Sequence, residues 1–504
     1  MPVHGVTRSG WLSARGRVLS GAWLGVLTHV VPPGLVDEAV GDGLAWEMRL
    51  RSLPARVTAY FTLGLCLFSG TSYPGVFLQV TAGLGLASPA TTALSSARRR
   101  LGGKPLESLF RRLCSPLSPG TQPWSHVAGL LAVAWDGTGI TVADTEPNAA
   151  AFGRPGAAGL RQGALPAPQI RLVMLIACGT RTVLDAAFGP CRGTGSGEQA
   201  LARQLLGSLR AGMLLLADKG FYSYRLRTAA AAAGAHLLWR VKDSMHLPVA
   251  AELPDGSWLA HVNDPRAVQA RLHGNGQRRR RGSKLPPDTR PLPGITVRVI
   301  DYVLTVTDDD GTTRTGRYRL LTTLLDHRQY PAAVLAAAYS RRWAIETGYR
   351  EAKTCLRGTG RALRGKTPDL ARQELWALIA VYQAIRTLIT RAAAGAGLDP
   401  ARISFTAALH AIGRTMNAAR DQLPATLDAA ETEMLASLVP EREGRICARA
   451  VKRIPFARWP ARKRDQAPIP RHATRTATIT PPGTTTPTSH GQHKQPATTQ
   501  PQPP

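Results

Sequence analysis

Residues 170–188 read IRLVMLIACGTRTVLDAAF, and residues 213–220 read MLLLADKG. The first stretch is two apolar runs joined at Gly179-Thr180, a turn signal, so it predicts strands over 170–178 and 182–188. The second is a short, fully apolar strand that stops at Asp218-Lys219-Gly220. A short unbroken apolar run bounded by turn residues fits a strand covered on both faces. Outward from these, residues 128–135 form a third run, ending at Asp136-Gly137. Residues 199–209 and 224–233 carry helical periodicity, and 236–241 reads as one more strand. The order is three strands, helix, strand, helix, strand.

That order is the one found in a ribonuclease-H-like α/β domain. The helix that should close such a domain does not come next. Residues 243–326 read as β instead, with Thr296 and Arg298 alternating against Ile295, Val297 and Val299, a turn at Asp308–Gly311, and a returning strand over 316–325. A strong helix pattern then covers 331–356. The fold class expected is therefore an α/β, ribonuclease-H-like core interrupted by an all-β insertion. Six regions follow. Residues 1–118 form a basic helical domain, expected to bind DNA. Residues 119–242 are the first part of the core, 243–326 the β-rich insertion and 327–360 the closing helix. Residues 361–444 are helical, with 375–388 read as core, and 445–504 are a basic, Pro/Thr-rich tail. The tail has eleven Lys and Arg against Asp465 alone, and beyond Asp465 it lacks Leu, Val, Phe, Tyr, Trp and Met. Such a composition is expected to be disordered.

The charge narrows the function classes. The 504 residues hold 63 Lys and Arg against 33 Asp and Glu, a formal net charge of +30. That excess answers a polyanion, nucleic acid before an anionic membrane. With the tail set aside, the other 444 residues still carry +20. The six Cys are dispersed with no C-x2-C pair, which excludes a disulfide scaffold and a zinc ribbon and fits free thiols in a reducing cytoplasm. The His residues show no metal-like spacing. Residues 57–97 carry no charge, but the turn residues 69–74 break the stretch, so no membrane span is expected. Arg8, Arg15 and Arg17 precede an apolar stretch over 18–31. Pro32-Pro33-Gly34 ends it without a small-x-small cleavage site, so it reads as an amphipathic helix opening a folded domain.

Three acids can carry chemistry. Asp136 and Asp218 each end a strand, where ligand sites of open α/β sheets collect, and a Gly within two residues lets the backbone turn away. Paired carboxylates there suit Mg²⁺. Asp and Gly also simply punctuate strand ends, and that reading stays open. In the helix over 331–356, Tyr339, Arg342, Glu346 and Lys353 fall within an arc of about 60° at helical spacing. A carboxylate sharing a stripe with two cations and a Tyr fits a metal plus phosphates. It also fits a solvated face, since Arg342 and Glu346 form an i,i+4 pair.

The spacing Tyr339-x2-Arg342-x3-Glu346-x6-Lys353 resembles the Y-R-E-K signature of bacterial DDE transposases, and more narrowly of the insertion sequence four family. The stretch Tyr339-Ser-Arg-Arg-Trp343-Ala-Ile-Glu346 resembles that family's sequence around its Glu. Ala134-Trp-Asp136-Gly-Thr138, with Asn148 and Phe152-Gly153 downstream, resembles its first-Asp region. Ala217-Asp218-Lys-Gly220-Phe-Tyr-Ser223 resembles its second, and Leu53-Pro-Ala-Arg56 through Tyr73 its N-terminal helices. These elements stand in the family's order. The family also places a β domain between its second Asp and its Glu.

The resemblance implies a DNA transposase of the bacterial cytoplasm, associated with the nucleoid. Asp136, Asp218 and Glu346 would hold two Mg²⁺ ions, with Mn²⁺ able to substitute, and no small-molecule cofactor is implied. Tyr339, Arg342 and Lys353 would bind DNA phosphates. The partners implied are the terminal inverted repeats, target DNA and a second copy of the chain in the synaptic complex, with no membrane. The reaction implied is cleavage at element ends, release through a hairpin, and strand transfer. The hairpin calls for an aromatic side chain on a flipped base, a role that neither Trp258 nor Tyr318 is assigned. The Arg98–Arg100 and Arg278–Arg281 clusters, the latter read as a loop, are candidate phosphate contacts or solvated surface. Two other readings compete. One is a catalytically inactive, transposase-derived DNA-binding protein. The other is a glycosidase-like hydrolase, against which the charge and the Arg/Lys stripe both speak.

Overall fold

The computed structural model describes residues 22–42, 53–82, 84, 87–114, 122, 124–156, 166–193, 195–280, 290–308, 311, 313–418, 422–439 and 473–482. Five helices come first: α1 (Pro33–Asp42), α2 (Ala55–Leu67), α3 (Tyr73–Val80), α4 (Thr91–Leu101) and α5 (Lys104–Leu113). Then follow β1 (His126–Val127), β2 (Leu130–Thr141), α6 (Glu146–Phe152), β3 (Gln169–Ala177), β4 (Val183–Pro190), α7 (Glu198–Gln204), β5 (Met213–Ala217), α8 (Tyr224–Ala232) and β6 (His236–Val241). The next segment holds β7 (Ala251–Glu252), β8 (Trp258–Asn263), α9 (Pro265–Arg280), β9 (Gly294–Asp308) and β10 (Thr313–Thr322). The described chain ends with α10 (Ala332–Tyr339), α11 (Trp343–Arg350), α12 (Pro368–Gly395), α13 (Phe405–Arg414), α14 (Leu423–Ala436) and β11 (Ala473–Ile479). The protein is thus mixed α/β, with a helical N-terminal region. Among the described residues no helix is long and apolar enough to cross a membrane.

The chain divides into two compact units. The first runs through Leu216 and resumes over Arg341–Val439. Its strands are ordered β4-β3-β2-β5, with β3 antiparallel to both neighbours and β2 parallel to β5. Leu214, Leu215 and Leu216 are fully buried, as the unbroken apolar run requires. The N-terminal helices do not stand apart as a body of their own: α2 and α5 pack on α12. This long helix begins at Thr367, whose hydroxyl accepts the Leu370 N–H at 3.5 Å, with Pro368 in the first turn. It is buried on nearly every side, polar residues included. The polar ones are matched, as buried polar groups must be. The Gln383 carbonyl accepts the Val183 N–H at 2.6 Å while its amide donates to the Leu113 carbonyl at 3.1 Å. Arg98 is buried too, donating to Gln373 at 2.9 Å, to Tyr73, to the Leu370 carbonyl and to Glu374. It holds helices together and is not a phosphate contact. Arg99 and Arg100 stay exposed. The helix expected over 18–31 is, where described, irregular chain with a 3-10 turn at Leu27–His29.

The second unit comprises Ala217–Ser340 with the C-terminal residues. Its strands run β6-β10-β9-β8-β7, all antiparallel, around Trp258, Val297, Val299 and Leu321. The insertion is not all-β, because α9 lies between β8 and β9 and carries Arg278–Arg280 within its last turn rather than in a loop. Arg281 lies outside the described residues. Arg298, expected on the solvent face of β9, is fully buried on Asp255, Ser257 Oγ at 2.8 Å and the Tyr330 carbonyl at 2.6 Å. The tail is not wholly without structure: Ala473–Ile479 pairs antiparallel with Tyr302–Asp308 of β9. A short Thr-rich stretch needs no core of its own when an existing edge supplies its hydrogen-bond partners. The remaining tail lies outside the described residues.

Candidate active site

In the first unit the site is built on β2. Its pairing with β5 ends at Ala134–Leu216, while its pairing with β3 continues to Thr141–Gln169. Asp136 therefore sits within a strand, just where the parallel neighbour has stopped, and not at a strand end as the sequence suggested. The Gly137 N–H donates to its Oδ1 at 2.8 Å. A Cβ at Gly137 would lie 2.3 Å from the Glu198 carboxylate, so a larger residue there would require the Glu198 side chain to move.

Glu346 reaches the same place from α11, which packs on β2. Arg342 joins the two acids: Nη1 donates to Asp136 Oδ2 at 3.3 Å and Nη2 to Glu346 Oε1 at 3.0 Å. Its side chain is 9% exposed, against 21% for Asp136 and 40% for Glu346, so the cation is the buried partner and both carboxylates face outward. Its guanidinium also lies 5.3 Å from the exposed Trp343 ring. The Tyr349 hydroxyl donates to the Asp136 carbonyl at 2.5 Å and accepts the Met174 N–H at 3.0 Å, fixing α11 to two strands at once. Burial pushes the Tyr349 hydroxyl well above its ordinary pKa, with Asp136 and Glu198 adding to the shift. Lys353 Nζ donates to Thr138 Oγ1 at 3.0 Å, and burial, then Arg357, lowers its pKa.

The helix over 331–356 is not continuous. A 3-10 turn at Ser340–Arg342 follows α10, and Glu351–Leu356 is a π-helix. A uniform 100° step therefore does not describe the stripe, and π-turns often mark functional sites.

In the second unit, Asp218 follows β5 and opens a 3-10 turn at Lys219–Phe221. Its Oδ1 is buried without a hydrogen-bond partner. A buried carboxylate oxygen without a protein partner is compatible with a hard divalent cation, which prefers oxygen donors. Tyr339, 4% exposed, donates its hydroxyl to the Ala217 carbonyl at 3.3 Å, so it braces the residue before Asp218. Among the described residues no three His, Cys, Asp or Glu side chains gather closely enough to hold one ion. Asp136 and Glu346 share Arg342, and Asp218 belongs to the other unit.

Sequence reasoning missed Tyr349 and Glu198. Tyr349 could have been found as the residue one helical turn beyond Glu346, and Glu198 only through its approach to Gly137 in the folded chain.

Comparison with known proteins bears on this site. The family described as "Transposase DDE domain" matches residues 128–384, and "Insertion element 4 transposase N-terminal" matches residues 22–111. The chain belongs to the DDE transposases of the insertion sequence four family: metal-dependent enzymes that cut and transfer DNA strands. Transposase InsG for insertion sequence element IS4, from Escherichia coli K12, is 28% identical over 452 residues, which is 88% of this chain and 95% of that protein. Putative transposase InsZ of the same organism is 30% identical over 30% of this chain and 48% of its own. Putative transposase y4zB of Sinorhizobium fredii is 29% identical over 36% and 43%. A solved piggyBac transposase synaptic complex with hairpin DNA aligns over 83% of this chain and 82% of that one, at 10% identity and a TM-score of 0.40.

Proposed function

We propose that this chain is the cut-and-paste transposase of a bacterial, nucleoid-associated insertion sequence, with Asp136, Asp218 and Glu346 as its catalytic acids on a ribonuclease-H-like core. The observation that carries the reading is the Arg342 bridge between Asp136 and Glu346. Bound to these acids, two Mg²⁺ ions, or Mn²⁺ in their place, would polarise the scissile phosphate and favour an ionised attacking oxygen.

The chain's own residues supply the rest. Asp136 and Glu346 present outward oxygens on a rigid strand and helix, and Tyr349 fixes their separation. Arg342 offsets the repulsion between them and keeps a guanidinium at the place where phosphate oxygens arrive. Lys353 adds a second cation along β2, at Thr138. Tyr339 acts on DNA indirectly, by holding the backbone at Ala217. Such a site serves water in the first cut and a DNA 3′-hydroxyl in later steps. Hairpin release, strand transfer into target DNA and a homodimer holding two inverted repeats belong to the same proposal.

The test is cleavage of labelled DNA carrying the element's ends, with and without Mg²⁺. Asp136→Ala, Asp218→Ala and Glu346→Ala should each abolish cleavage while end binding persists. Binding without cleavage by the unmodified chain would favour the inactive DNA-binding reading.

A further inference from the structure

The segment that follows Glu346 is also held by a buried charge cluster that the site above does not use. Tyr349 and Lys353 stand four residues apart and both face β2, through the Asp136 carbonyl and Thr138 Oγ1. Glu351, midway between them, turns instead to the β3–β4 turn and to α12. It is 3% exposed, and its carboxylate meets three side chains of the first unit. Arg181 Nη1 donates to Oε1 at 2.9 Å, and Arg386 Nη1 lies 3.8 Å from Oε2. The Tyr382 hydroxyl stands 3.3 Å from Oε2 and 3.1 Å from the Arg181 carbonyl, so its one proton can serve either.

Three features suit this cluster to fixing one arrangement of the chain. Arg181 holds φ at +57°, a left-handed conformation that a residue with a Cβ keeps only where its surroundings over-determine it. Arg386 is fully buried, and its Nε and Nη2 donate to the Thr180 carbonyl at 2.9 and 2.7 Å, which ties the same turn to α12. Two guanidinium groups against one carboxylate leave a buried surplus of one positive charge. Desolvation offsets most of the attraction in such clusters, so they add little stability, and their best-attested use is to specify register. Glu351 is also the first residue of the π-helix, which closes with the Arg357 N–H on the Ala352 carbonyl at 3.1 Å. A π-turn is rare, and here its first side chain is fixed from three directions. An α-helical turn in its place would rotate the side chains that follow about the axis, Lys353 among them.

We propose that Glu351 is a positioning residue: held by Arg181, Arg386 and Tyr382, it fixes the π-turn so that the Lys353 ammonium stands at Thr138, where a DNA phosphate arrives. The phosphate contact rests on the function proposed above, and the positioning does not. The test uses the full chain and Glu351→Gln, which keeps the shape and an acceptor oxygen and removes the charge. Glu351→Gln with Arg181→Met keeps the buried charge at its wild-type value and serves where the single variant does not fold. Amide exchange is followed without DNA, and the binding of a labelled end duplex is measured across a salt series. Exchange should quicken several-fold more across 351–357 than across 375–390. The slope of log K against log salt should fall by about one, as it should in Lys353→Met, and adding Lys353→Met should lower it no further. A cluster that only stabilises the core would quicken exchange alike in both segments. That result, wild-type exchange across 351–357, a wild-type slope where Lys353→Met lowers it, or slopes that fall additively overturns the proposal. Local quickening with a slope that Lys353→Met leaves unchanged supports the positioning and overturns the phosphate contact.

Discussion

Arg342 does two things with one side chain, and its shape is the reason. The planar fork sends one nitrogen to Asp136 and the other to Glu346. Lysine, a single point charge on a flexible stem, can meet only one of them well. Arg342→Lys is therefore expected to recover little of the single-turnover cleavage rate lost in Arg342→Ala, a loss of about 10²-fold or more. Near-wild-type cleavage by the lysine variant would count against the bridge. Tyr349→Phe strands the Met174 N–H and removes the donor to the Asp136 carbonyl; about 1–3 kcal/mol should be lost in urea unfolding. Lys353 differs, because burial lowers its pKa. The unfolded chain then holds the proton more tightly, so the penalty is fully present below the folded pKa and is relieved as pH rises from there toward the unfolded value. Lys353→Met should accordingly not lower the melting temperature at neutral pH, yet should flatten the salt dependence of DNA binding by about one unit of slope.

Elements set where those residues stand. Strand β2 runs on past its pairing with β5 and carries Asp136 there, and α12 fixes the surrounding helices through polar groups that only partners far along the chain can satisfy. Gln383→Leu would leave the Val183 N–H and the Leu113 carbonyl unpaired in the core, and about 2–4 kcal/mol of stability should go with them, read from the urea midpoint. The strand order was legible because apolar runs bounded by Gly and Asp have few other interpretations. Asp136 and Asp218 were legible after apolar runs, and Glu346 with Arg342 on one helix; Arg342 joins Asp136 to Glu346, while Asp218 belongs to the other unit. What was hidden depends on distant partners. Arg98 looked like surface charge because Gln373 and Glu374 lie some 275 residues away. Arg298 looked like the polar face of a strand because Asp255 stands 43 residues before it. The 3-10 and π turns around α11 leave no mark on a 3.6-residue pattern, and β11 has a partner but no hydrophobic pattern of its own.

For the whole molecule, the charge of +30 means different things in different places. Several arginines are spent inside: Arg98, Arg298 and Arg386 are essentially unexposed. Under the proposed function the exposed remainder is available to a polyanion, while the acids that act on it number only three. The most direct measurement is Mg²⁺-dependent cleavage of DNA carrying the element's ends by the full chain and by Glu346→Gln, with end binding measured in parallel. The wild type should cut efficiently, the variant should lose at least about 10³-fold, and end affinity should stay within a few-fold. Equal cutting by both chains would contradict it.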